Sequence, residues 1–439
     1  MTRNQTRKDD GSTPSRLRVV RIIDRLNIGG PAKHVVWLTA GLNSDEFETT
    51  LITGVKPADE GDMTYFAREA GVEPMVIKEM SRELGPRDII VIGKLLRAFW
   101  KLKPDIIHTH KAKAGAAGRI AALLYRWLTP SALLLRPRRC KVAHTFHGHI
   151  FHSYYGKAKT RFFVAIERAL ARLCTDRIVV ISEQQRREIC ERYKVGRPGQ
   201  FHVIPLGIDF DEMNKNGESL RSELRLTDDK PIIGIVGRLC EVKNHSMFLE
   251  AAAQVMRESN GSHNSPHFVI IGDGHLRSAL EEQSNELGLS SAVTFTGFRE
   301  DAPSLYREMD VLALTSLNEG TPLTMIEAMR CARAVAATEV GGVADLMGER
   351  RAEREGFTIW DHGVTVASRD TAAMARALSF LIERPELRRE MGERGRAFVT
   401  KRMSRERLIG DIRQMYRQMA QVSPEMAPTG EPERLAQSN

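Results

Sequence analysis

Val311-Leu312-Ala313-Leu314-Thr315-Ser316-Leu317-Asn318-Glu319-Gly320-Thr321-Pro322-Leu323-Thr324-Met325-Ile326-Glu327-Ala328-Met329 reads as a strand, a loop and the start of a helix. A short apolar run such as Val311–Thr315 suits a strand covered on both faces. Thr321 followed by Pro322 predicts an N-cap with proline at the first helical position. Helical side chains lean toward the N-terminus, so Glu319 in the loop and Glu327 in the second turn can point into one crevice. Glu327 sits among Met325, Ile326, Ala328 and Met329, where a carboxylate needs a partner. The vicinal hydroxyls of a ribose or sugar would serve; so would a structural ion pair.

The same unit recurs outward along the chain. Strands are predicted at Arg18–Ile23, Thr50–Thr53, Asp105–His108, Val142–Phe146, Arg177–Ile181 and Phe201–Ile204. A second series falls at Ile232–Val236, Phe268–Ile271, Val293–Thr296, Val311–Thr315 and Ala334–Thr338. Helical periodicity lies between them, as in Ala32–Leu42, Pro86–Leu102, Ser246–Met256 and Leu276–Leu287. This alternation predicts an α/β protein with parallel sheets. The polar stretch Asp209–Glu218 divides it into two doubly wound, Rossmann-like domains facing a central cleft.

The 439 residues suit more than one domain, and 42% apolar with 28% charged residues is ordinary globular composition. No apolar stretch approaches the roughly 20 residues of a membrane-spanning helix. Residues 1–16 lack the apolar core of a secretory signal, and both they and 422–439 read as disordered tails. The five cysteines contain no C-x-x-C pair, which suits a reducing cytoplasm. Residues 101–200 hold 21 Lys/Arg against 6 Asp/Glu, more than the whole net charge of +9. The first half therefore carries a basic surface suited to an anionic partner.

In open parallel sheets, ligands bind beyond the carboxyl ends of the strands. After the first strand come Gly29 and Gly30, whose backbone can approach a phosphate at a helix start. The pair is no G-x-G-x-x-G fingerprint, so a dinucleotide cofactor is not indicated. After Ile232–Val236 come Gly237, Arg238 and Lys243, with Asn244 as a candidate helix cap. A guanidinium fork and an ammonium so placed suit a diphosphate.

Together, Glu319-x7-Glu327, Gly237-Arg238-x4-Lys243 and Gly29-Gly30-x3-His34 resemble the retaining family-4 (group 1) glycosyltransferases of the GT-B fold. Ile204-Pro205-Leu206-Gly207-Ile208-Asp209, Ile271-Gly272-Asp273-Gly274 and Gly341-Gly342 extend the resemblance over about residues 18–420. It implies an acceptor-binding domain at 17–209, a nucleotide-sugar domain at 210–402 and a helix at 403–421 crossing back. It implies that Glu327 holds the nucleotide ribose, Glu319 contacts the donor sugar, and Arg238 with Lys243 stabilises the departing diphosphate. Gly30 would approach the phosphates from the facing domain, and Gly320, Thr321, Pro322 and Leu323 would lie near sugar and phosphate. His147 matches the active-site histidine. Asp345 stands where relatives often carry Glu.

Six of the thirteen histidines lie within 45 residues: His108, His110, His144, His147, His149 and His152. Their spacings suit metal ligands, but no acidic ligand sits among them, and no required metal is expected. Those other than His147 are expected to line mainly the acceptor side. Asp209-Phe210-Asp211 has the Asp-x-Asp spacing of some metal sites but falls at the linker, as a turn. On Lys157–Leu173, Phe162, Ile166, Ala169 and Leu173 share a face among basic residues. That helix either lies on an anionic membrane or packs in the core. Nucleic-acid binding is not expected.

The resemblance leads to a glycosyltransferase, independent of metal and of any bound cofactor, with a UDP- or GDP-linked sugar as co-substrate. The acceptor would be lipid-linked or a saccharide, in cell-surface polysaccharide, lipopolysaccharide or glycolipid assembly. The place would be the cytoplasm, at the inner face of the plasma membrane. A sugar-nucleotide epimerase of the same fold and a non-catalytic scaffold binding anionic lipid or polysaccharide are the alternatives.

Overall fold

The computed structural model describes residues 16–27, 30–55, 63–80, 85, 87–147, 157–211, 219–259, 265–299 and 301–421. Both predicted tails apart from Arg16, as well as Gly29, His149 and His152, lie outside the described residues.

The first sheet is built from β1 (Leu17–Ile23), β2 (Phe47–Thr53), β3 (Met75–Val76), β4 (Ile106–His110), β5 (Lys141–Thr145), β6 (Arg177–Val180) and β7 (Phe201–Val203). All its pairings are parallel, in the order β3-β2-β1-β4-β5-β6-β7. The second contains β8 (Ile232–Val236), β9 (His267–Ile271), β10 (Val293–Gly297), β11 (Val311–Leu314), β12 (Ala334–Thr338), β13 (Arg350–Arg354), β14 (Phe357–Trp360) and β15 (Gly363–Val366). Its order is β10-β9-β8-β11-β12-β15-β14-β13. The last hairpin is antiparallel, a departure from the wholly parallel expectation.

The longer helices are α1 (Gly30–Leu42), α2 (Arg87–Leu102), α3 (Ala112–Trp127), α4 (Lys157–Leu173), α5 (His245–Glu258), α6 (Arg277–Glu286), α7 (Leu323–Arg330), α8 (Thr371–Ile382), α9 (Pro385–Arg402) and α10 (Arg405–Gln421). Apolar side chains on both faces of each sheet, such as Ile233 and Ile232 on β8, are fully buried beneath them. Each such side chain contributes roughly 1.5–3 kcal/mol.

Strand order reverses between β1 and β4 in one sheet and between β8 and β11 in the other. Loops splay apart at such a point and leave a crevice. The two crevices face one another: a Cβ placed on Gly30, at the start of α1, would lie 2.8 Å from Leu323 Cδ1, at the start of α7.

The chain passes between the two sheets twice. Ile208, on the way out, donates its N–H to Met403 O (2.8 Å) and accepts from Arg405 N–H (3.0 Å), on the way back. Beyond this crossing, α10 packs on α1. The linker motif is accounted for locally: Asp209 Oδ1 accepts from Asp211 N–H at 3.1 Å, and its other oxygen pairs with Arg405.

Candidate active site

On the second sheet, Arg238 and Lys243 follow β8, while Glu319, Gly320 and Thr321 follow β11, its neighbour across the reversal of strand order. Thr315 Oγ1 donates to Lys243 O (3.1 Å) and Asn244 O (2.9 Å), and Leu317 N–H donates to Val242 O (2.8 Å). The two loops are thereby pinned to each other. Lys243 Nζ lies 2.6 Å from Glu319 Oε1, which also accepts from Ser316 Oγ at 2.6 Å. Arg238 is exposed, beside Gly237 at the loop's start. A carboxylate thus holds the ammonium in place while the guanidinium faces solvent.

The glycine motifs brace these loops from behind. Gly341 has φ +55°, and a Cβ there would sit 1.7 Å from Glu319 O, so only glycine fits. Gly342 N–H donates to Gly320 O at 2.8 Å. The strand–turn pair Ile271 and Asp273 accepts from the N–H groups of Gly237 (2.9 Å) and Leu239 (3.0 Å), fixing the arginine loop. Asp345, in the turn after Gly341-Gly342, is exposed.

Two expectations about capping are corrected. The α7 helix begins at Leu323 with Pro322, not Thr321, at the N-cap position, and no side chain caps it. Proline has no amide hydrogen, so the amide of Leu323 heads the helix. The Thr321 and Thr324 hydroxyls are buried without a hydrogen-bond partner at this helix start. Asn244 precedes α5 in the left-handed region (φ 52°), with no side-chain cap bond. Its role is conformational, a region Asn tolerates better than most residues.

Glu327 Oε2 accepts from the Tyr306 hydroxyl at 2.7 Å. Burial, then the Glu327 charge, pushes the Tyr306 phenol well above its usual range, so it stays a neutral donor. The motif reading missed Tyr306 because it lies on a separate turn, with no spacing to link it to Glu327.

On the facing sheet, His147 follows β5, His110 ends β4 and His34 lies on α1. His110 Nδ1 is 2.9 Å from His147 Nε2, and the His34 and His147 rings meet edge to face at 4.8 Å between centroids. Desolvation, then Arg21, lowers the His34 pKa to about 3, and desolvation also holds His110 and His147 well below the usual range. All three are neutral imidazoles. Their ligand atoms lie within 4.8 Å of one another, so they are the set among the described residues with the spacing to hold a metal ion. No carboxylate joins them, and buried Arg21 adds positive charge, so the set suits hydroxyl recognition better than a divalent cation. Lys111, just after β4, pairs with Asp24 at 3.0 Å.

The expectation that the other histidines mainly line the acceptor side is corrected for the three of them that are described. His108, His110 and His144 are fully buried: His108 bonds Tyr416 and Thr145, His110 bonds His147, and His144 bonds Thr109.

Two family models cover most of the chain: "Glycosyl transferase 4-like domain" over residues 29–207 and "Glycosyl transferases group 1" over residues 216–398. An Escherichia coli UDP-Gal:alpha-D-GlcNAc-diphosphoundecaprenol alpha-1,3-galactosyltransferase is 30% identical over 326 residues, 72% of this chain and 77% of that one. Among solved structures, Anabaena HepE in complex with UDP aligns with a TM-score of 0.71 at 19% identity, covering 92% of this chain and 100% of that one. A Rickettsia africae glycosyltransferase aligns at 0.72 and 16% identity, over 93% and 100%. Motifs, two facing sheets and relatives agree: the chain belongs to the group 1 glycosyltransferases and has the GT-B fold.

Proposed function

We propose that the enzyme transfers a sugar, with retention, from a UDP- or GDP-linked donor to a lipid-linked or saccharide acceptor in cell-surface polysaccharide, lipopolysaccharide or glycolipid assembly. The observation that carries this reading is the Arg238–Lys243 loop beside Glu319 on one wall of the crevice, with Gly30 opposite Leu323. In this reading Glu327, steadied by Tyr306, takes the ribose hydroxyls. Lys243 exchanges Glu319 for the donor diphosphate, and Glu319 is released toward the sugar. Arg238 and the helix-start amides neutralise charge on the leaving diphosphate, so no metal is required of the mechanism. Its oxygen takes the proton of the attacking acceptor hydroxyl on the same face, and the protein supplies orientation and charge.

The E. coli relative's name specifies UDP-galactose and a diphosphoundecaprenol acceptor, which supports a UDP donor and a polyprenyl diphosphate acceptor here. No helix among the described residues is long and apolar enough to cross a membrane. The α4 helix supports peripheral docking from the cytoplasmic side. Its apolar stripe is turned outward, with Phe162 61% and Leu173 66% exposed, while Val164, Glu167, Leu170 and Ala171 face inward. Leu134 and Leu135, beyond α3, stand out to solvent beside Arg136 and Arg139. Basic and apolar surface together suit an anionic leaflet.

A thermal-shift panel of nucleotide sugars tests the donor. A donor at 100 times its dissociation constant stabilises the fold by about 2.7 kcal/mol. If none shifts the melting point, the donor reading fails. Nucleotide diphosphate released only when acceptor is present separates transfer from epimerisation.

A further inference from the structure

Arg21, on β1, is fully buried and has no carboxylate partner among the described residues. An arginine keeps its charge even when desolvated. Strand alternation puts it on the same face as Val19, which packs with Leu38 of α1 and with Leu408 and Ile412 of α10. His34, one turn before Leu38, points into that same layer. Arg21 Nη2 lies 3.2 Å from the Tyr416 hydroxyl of α10, but its Nε and Nη1 are buried without a partner. Both ring nitrogens of His34 are buried without one as well, and so is Arg407 Nε at the start of α10.

Nothing nearby supplies a negative charge. Asp24, just past β1, is paired with Arg25 (2.5 Å) and Lys111 (3.0 Å), and Asp411 is paired with Arg407 (2.7 Å). Burial pushes the Tyr416 phenol above its usual range, so it is no phenolate. His34 and His108, Arg21's partner in strand register, are neutral. One positive charge is therefore left over between β1, α1 and α10, a costly arrangement unless it is paired. The unsatisfied guanidinium nitrogens only donate, and a neutral His34 offers one N–H in either tautomer. The charges of Arg21 and Arg407 both bear on His34, which places the three in one neighbourhood. Water would satisfy the N–H groups but leave the charge; a phosphate would bring charge in excess. A monovalent anion answers both needs.

We infer that a single halide-sized anion, chloride in ordinary buffers, binds Arg21 and His34 in the layer beneath α1 and α10, with Arg407 adding to the field. The α10 helix comes back from the second domain to pack on α1. The anion would fasten that returning helix to the first domain from within. The inference does not depend on which donor or acceptor the cleft takes.

Melting curves at fixed ionic strength, with sodium chloride exchanged stepwise for sodium gluconate, test it. Chloride should raise the melting point saturably; at nine times its dissociation constant it multiplies the folding constant about tenfold. Bromide should replace chloride. Arg21→Met, which removes the charge and keeps an unbranched apolar chain, should lose the chloride dependence. Crystals of the wild type grown in bromide should show an anomalous peak within hydrogen-bond reach of Arg21 Nε or Nη1, a result that needs no variant to fold. Equal melting in chloride and gluconate overturns the inference, as does an Arg21→Met variant that keeps the wild-type chloride dependence. A shift with phosphate but not with chloride, or bromide crystals without that peak, overturns it too.

Discussion

Lys243 and Glu319 are ion-paired at 2.6 Å and largely screened from solvent, with side chains 24% and 10% exposed. The pair orders the ammonium at the cleft, and a diphosphate carries more charge than the single carboxylate it would replace. Lys243→Ala is expected to lower transfer by on the order of 10²-fold or more, since a charge aimed at the leaving group is lost. Steady-state kinetics beside a melting curve checks this: the rate should fall while the fold persists. Both residues were legible in the sequence, because each follows a strand in a recognisable spacing. Their direct bond was not, because 76 residues separate them and only the β8–β11 neighbourhood brings them together. Tyr306 went unassigned for the same reason, and the contacts of His34 and His110 with His147 were likewise out of reach.

Among the elements, the turn holding Gly341 and Gly342 sets the position of the Glu319 loop. Gly341→Ala would drive a methyl into Glu319 O and force a left-handed backbone on alanine. We expect a loss of about 1–3 kcal/mol, typical of overpacking. Chemical denaturation should record it together with a raised donor KM; an unperturbed KM would show that the brace does not shape the site. Most strands and the longer helices could be read from apolar runs and periodicity. The hairpin of β13 and β14 could not. β13 reads Arg-Arg-Ala-Glu-Arg and is exposed throughout, so no apolar alternation marks it. The Thr321 cap failed because the chain stays extended through Pro322, at ψ 110°, before the helix begins.

For the whole molecule, the buried histidines tie stability to pH. His34, His108, His110, His144 and His147 are all held neutral by burial. In the unfolded chain they protonate near pH 6.5, so the unfolded state binds more protons below that pH. Their contribution is full above about pH 6.5 and is lost as the pH falls toward the depressed folded values, near 3 for His34. Each fully shifted histidine removes about 1.4 kcal/mol per pH unit across that window. Urea midpoints at pH 7.5 and 5.5 should therefore differ steeply, and substituting His144 with a well-packed apolar residue should flatten the difference. Equal midpoints would mean that the cluster takes up protons while folded.

The two passages of the chain between the sheets lie side by side, joined where Ile208 meets Met403, Ser404 and Arg405. Two adjacent covalent straps make a single pivot, like the spine of a book. The lobes can then swing about one line but resist sliding or twisting apart. Opening can admit a bulky donor without disturbing either sheet, and each closure returns the facing loops to the same register.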